Sequence, residues 1–152
     1  MKLKTGIILG LITMVTFSCS QNVEKDNLEK RMIGTWRLIS SESHVKDSVI
    51  KEDLAGREMF KIITNSHFAF LYHDLQKGKD SKTALFVSGG GKCSFTDTTY
   101  TENLDYCNCR MWEGVKVNFK ATVSNDTLTI EGLEKADKID VNQYIIEKYI
   151  KL

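Results

Sequence analysis

Apolar and polar residues alternate along most of this chain. In 115–123, Val115, Val117, Phe119, Ala121 and Val123 fall on one face and Lys116, Asn118, Lys120 and Thr122 on the other, so the spacing predicts a strand with one dry side. Ser124-Asn125-Asp126 supplies a turn, and Leu128 with Ile130 carries the dry face back, which predicts a hairpin. The same period predicts strands near 35–43, 57–63, 67–73, 83–88, 92–95, 99–107, 127–131 and 141–151. Turn signals at Asn65-Ser66, Lys77-Gly78-Lys79-Asp80 and Thr96-Asp97-Thr98 join neighbours by short connections. Leu28, Met32 and Ile33 alone are spaced for a helix, one or two turns leading into the first strand. A meander of short antiparallel strands must hide its dry face, and closure also removes its edges. The expected fold is all-β, an antiparallel up-and-down barrel of about eight strands with a short N-terminal helix.

Gly89-Gly90-Gly91 interrupts the strand pattern. A phosphate cradle would need a following helix and a Lys-Ser/Thr pair, whereas Lys92 is followed by Cys93 and more strand. The glycines therefore predict a barrel corner or bulge.

The N-terminus obeys a different grammar. Lys2 and Lys4 precede a charge-free run from Gly6 to Phe17, which is too short to cross a hydrocarbon core of about 30 Å. A basic start followed by a short apolar run predicts a cleaved signal peptide. Ser18-Cys19-Ser20 after that run resembles the lipobox of bacterial lipoproteins. The resemblance implies a lipoprotein signal peptide over 1–18, lipidation of Cys19 and a lipid-attachment and tether segment over 19–30. It also implies a place in the cell envelope, anchored to a bacterial membrane and facing the periplasm or the surface. The barrel domain then occupies 31–152.

Charge narrows the partners. Lys and Arg number 21 against 20 Asp and Glu, and no basic cluster is present, so nucleic acid is excluded as a partner. With 41% hydrophobic residues the chain is too rich in core formers to be disordered.

Gly34-Thr35-Trp36 at the start of the first strand resembles the opening of the lipocalin and wider calycin families. With Ile62-Ile63-Thr64-Asn65-Ser66-His67-Phe68, the glycine triplet, Tyr100-Thr101-Glu102 and Glu147-Lys148-Tyr149-Ile150-Lys151, the order resembles the lipocalin-like domain of small bacterial lipoproteins. The resemblance implies a pocket for a small hydrophobic or amphipathic molecule. It also implies barrel closure by Gly34, Trp36 and Lys151, with the lysine over the indole, an attraction of about 0.5–1 kcal/mol when exposed.

Parity selects the candidate ligand contacts. Tyr100, Glu102, Leu104 and Tyr106 share a face, so Glu102 rides on the apolar side, either in water at a strand end, in a structural pair or against a ligand. His67, Arg57 and Lys148 are its candidate partners. Phe68, Phe70 and Tyr72 make a second one-sided row, and Phe119 lies on the dry face of its strand. In the last strand either Tyr144, Ile146, Lys148 and Ile150 face inward or Ile145, Glu147, Tyr149 and Lys151 do. In the second case Tyr149 and Lys151 meet the acidic head group of a ligand.

Cys93, Cys107 and Cys109 remain as thiols or as one disulfide, with Cys93 bonded to one of the other two, because Cys107 and Cys109 share parity. C-N-C spacing and the three scattered histidines offer no metal motif, and no cofactor or catalytic set is indicated. Three functions stay open. The first is a tethered binding module. The second is a filled barrel that binds another envelope protein through loops 45–56, 74–82 and 110–114, with Trp112 as an anchor or a cap. An enzyme on the same scaffold ranks last, since only Glu102 is a candidate acid or base.

Overall fold

A computed structural model describes residues 27–152. The expected signal peptide 1–18, Cys19 and most of the tether lie outside the described residues. Asn27 opens the order: its Oδ1 accepts the Lys30 N–H at 2.9 Å and caps α1 (Leu28–Met32). Nine strands follow, β1 (Gly34–Val45), β2 (Ser48–Lys51), β3 (Arg57–Ile63), β4 (His67–Asp74), β5 (Phe86–Phe95), β6 (Thr99–Cys107), β7 (Lys116–Ser124), β8 (Thr127–Ala136) and β9 (Val141–Lys151).

From β3 to β9 each strand pairs antiparallel with the next, and β1 lies between β3 and β9. Eight strands therefore close into a barrel, and β2 folds back on the far half of β1 as an extra hairpin strand. Because the strands run up and down, alternate connections share an end. The connections at 46–47, 52–56, 75–85, 108–115 and 137–140 lie at one end; those at 64–66, 96–98 and 125–126 lie at the other with α1.

The α1 end is sealed. Leu28 and Met32 are buried in the core with Trp36, which is wholly buried and donates its Nε1–H to the Met32 carbonyl at 2.7 Å. Lys151 Nζ stands 5.2 Å from the Trp36 ring centroid and 3.5 Å from the Arg31 carbonyl. Two carbonyls left over at the helix end thus find donors from the barrel.

Three expectations are corrected. The segments 83–88 and 92–95 are not separate strands: β5 runs through all three glycines. The residue that bulges is Asp105 on the neighbouring strand, since Gly90 pairs with Tyr106 and Gly91 with Leu104. The glycines are required by close approach, because a Cβ on Gly91 would lie 2.0 Å from the Asn103 carbonyl oxygen. The bulge also reverses parity, so Tyr106 faces out and Cys107 faces in. Strand β2 falls inside the segment expected as a loop; all four of its side chains are exposed, leaving no dry face to detect.

Gly91→Ala should destabilise the barrel by more than about 3 kcal/mol, a loss in the overpacking class. Gly78→Ala, at φ +73° with open space around it, should cost only about 1–2 kcal/mol of backbone strain. Urea denaturation of the two variants checks the contrast.

Candidate functional site

Residues that face each other across an antiparallel ladder point to the same side of the sheet. One such row runs Trp36, Lys61, Phe70, Gly89 and Cys107 through β1, β3, β4, β5 and β6. Gly89 has no side chain to fill its place, and the Phe70 ring lies where a Cβ would stand, 2.9 Å away. Above that row the interior is not filled. A cavity of about 370 Å³ remains, walled by apolar side chains such as Leu38, Met59, Val87, Val117 and Phe119.

Its polar lining is concentrated and acidic. Lys61 is buried at the deep end, with Nζ 2.9 Å from Glu102 Oε1 and 3.7 Å from Glu147 Oε2. The same ammonium stands 5.3 Å from the Tyr149 ring centroid and 5.7 Å from that of Phe119. Tyr149 donates its hydroxyl to Glu147 Oε2. Glu134, on β8 nearer the solvent, accepts a hydrogen bond from Gln143 Nε2 at 2.9 Å. Glu52 lies at the exposed rim and is held by Arg57 and by the Tyr72 hydroxyl at 2.8 Å.

Lys61, Glu102 and Glu134 hold their protons more tightly than usual. Burial pulls the Lys61 ammonium down, but Glu102 and Glu147 more than offset it, and its pKa stands above the ordinary lysine value. Burial likewise raises Glu102, with Lys61 countering only part of the effect. Glu134 is raised by burial and then by Glu147, against the Gln143 hydrogen bond. The two carboxyls are raised chiefly by burial, and only the Lys61 shift reports the carboxylates around it. The two buried thiols are not activated: burial, then Glu102, pushes Cys93 up to about 11, and burial also raises Cys107.

Among the residues singled out from sequence, Phe70, Tyr72, Glu102 and Phe119 line the cavity. Phe68, Tyr100 and Tyr149 are buried in the core and are not part of its wall. Trp112 does line it: Glu113 Oε1 accepts the Cys107 N–H at 3.0 Å, and the Gly114 N–H reaches the Leu104 carbonyl at 2.8 Å, tying the Arg110–Trp112 turn back to the strand. Gly34, Trp36 and Lys151 meet at the sealed end. Cys93 and Cys107 are buried free thiols, and Cys109 is an exposed one.

The candidate partners of Glu102 are corrected. His67 contacts Ser66, Arg57 holds Glu52, and Lys148 is exposed. Lys61 takes the role. Sequence reasoning missed it because β3 is apolar on both sides, with Met59 and Ile63 flanking Lys61 on one face and Phe60 and Ile62 on the other. In β9 the set Ile145, Glu147 and Tyr149 faces inward, which places Glu147 in the cavity. Glu134 extends the row Leu128, Ile130, Gly132, beyond the residue at which the strand was expected to stop.

No family model and no curated protein matches the chain.

Lys61→Met should cost about 3–5 kcal/mol, because it leaves Glu102 and Glu147 without a counter-charge, and Lys61→Met/Glu102→Gln should recover part of the loss. Glu134→Gln should raise the melting temperature at pH 7. Carboxyls whose folded values are raised weaken the fold as pH rises from the ordinary carboxylate value through the raised one, so this variant should also reduce the loss of stability across that rise. Asp74 has the opposite sign. Its carboxylate accepts the Leu85 and Gly78 N–H groups at 3.0 Å, which lowers its pKa. That contribution is present at neutral pH and disappears as pH falls through the lowered value. Thermal melts at stepped pH check all of these.

Proposed function

We propose that this chain is a lipocalin-like binding protein that encloses a small amphipathic molecule in its barrel. The observation that carries this reading is the 370 Å³ cavity, apolar on most of its wall and polar at one cluster. Ligand pockets have this size and this mixture of surfaces, about 300–1,000 Å³ with a few placed polar groups. The division of the barrel supports it too: one end is sealed by α1, Trp36 and Lys151, while the lining runs from buried Lys61 to exposed Glu52 at the other. The lipobox-like Ser18-Cys19 supplies the address. Lipidation at Cys19 would hold the barrel on a bacterial envelope membrane and leave its open end free.

A second reading has one observation in its favour. Loops 45–56, 74–82 and 110–114 gather at the open end, and Val49 and Ile50 on β2 are exposed there. A protein partner seated on that end fits them, but Trp112 is turned to the cavity and does not serve as its anchor.

Two measurements test the proposal. The fluorescent amphipath N-phenyl-1-naphthylamine, uncharged at pH 7, should brighten on the purified protein. Val87→Trp, which places an indole in the cavity, should reduce that gain at least tenfold with the circular dichroism unchanged. Equal brightening of both proteins would place the probe outside the barrel and overturn the cavity assignment. Cys19→Ser should abolish incorporation of radiolabelled palmitate in an exporting bacterial host; undiminished incorporation would refute the anchor.

A further inference from the structure

We propose that the ligand of this cavity carries an organic cation, a protonated amine on a small apolar body. The assignment rests on the binding reading above and adds the chemistry of the head group. Four carboxylates line the cavity, Glu52, Glu102, Glu134 and Glu147, against a single ammonium, Lys61. Arg57 answers Glu52 at the rim. Lys61 is already committed, since it stands between Glu102 and Glu147 with two aromatic rings over it.

That arrangement excludes the commonest alternative for a lysine at the bottom of an apolar pocket. An anionic head group arriving at Lys61 would have to displace Glu102 or Glu147 and leave a buried carboxylate unpaired, at high cost. It would also approach through the field of Glu134. A cation meets the reverse conditions. Glu134 is offered nearer the solvent with only the neutral Gln143 amide bound to it. Glu102 lies deeper and is held by Lys61, with its Oε1 2.9 Å from Nζ, so Glu134 is the carboxylate that the N–H groups of an entering ammonium reach first. Phe70 and Trp112 on the wall add aromatic faces, which attract cations further once water is expelled.

The cation is organic. Among the described residues no three His, Cys, Asp or Glu side chains are grouped so as to hold a metal ion. A mostly apolar wall also gives a bare ion nothing to bind beyond the carboxylates, whereas the tail of an amphipath fills it.

The test uses three molecules with one tail. n-Octylammonium, n-octanol and octanoate displace N-phenyl-1-naphthylamine from the purified protein at pH 7, each below its micelle concentration. Octylammonium should bind at least tenfold more tightly than octanol, and octanoate should bind most weakly. Glu134→Gln, which removes a buried charge without changing shape, should reduce the ammonium-to-alcohol ratio at least threefold. Octanol binding as tightly as octylammonium, or octanoate binding tightest, would overturn the cation assignment and leave the amphipath pocket standing. Failure of all three to displace the probe would bring down the pocket and the cation together.

Discussion

The interior of this barrel depends on one buried ammonium. Lys61 sits among apolar side chains with a charge that would be prohibitive alone, and it is retained because Glu102 and Glu147 face it from β6 and β9. Those strands lie on opposite sides of β3 around the closed sheet, so the ion cluster ties together parts of the barrel that share no ladder. The arrangement is not neutral. A second carboxylate on Lys61 and a third at Glu134 leave the pocket acidic, and that excess gives the cavity its chemical character.

The seal and the cavity lie at opposite ends of the barrel. At the sealed end the helix carbonyls are answered by Trp36 and Lys151, and the apolar plug of Leu28 and Met32 excludes water. Nothing there needs to move for a ligand. Toward the open end the packing is incomplete: the absence of a side chain at Gly89 leaves room for the Phe70 ring, 2.9 Å from where a Cβ would stand, and Glu134 keeps a charge where an apolar residue would be more stable.

Much of the fold was legible from period and turn chemistry. The β7–β8 hairpin follows from the alternation at 115–123 and the Ser124-Asn125-Asp126 turn, and the short helix from Leu28 and Met32. What misled was local. The glycine triplet reads as a break because strands seldom use Gly, yet here the missing side chains allow the neighbouring backbone to approach. The bulge at Asp105 shifts the phase of β6, so parity counted from Tyr100 is right through Leu104 and wrong at Tyr106. Part of the site was legible in the same way, since Glu102, Phe70, Tyr72 and Phe119 lie on predicted dry faces. Lys61 was not, because both faces of β3 are apolar and a charged residue on either reads as solvent-facing. The acidic excess is a property of four strands brought together, and no single segment displays it.

The chemical character of the cavity turns on its holding more negative than positive charge at neutral pH. Carboxyl-carbon NMR on the ligand-free protein, titrated from pH 3 to 9, measures that directly. Glu102 and Glu134 should lose their protons in apparent steps above the ordinary carboxylate value of about 4.3, sharing the steps because they sense one another. Both groups should nonetheless be ionised at pH 7; if both still held their protons there, Glu147 alone would face Lys61 and the acidic character of the cavity would be refuted.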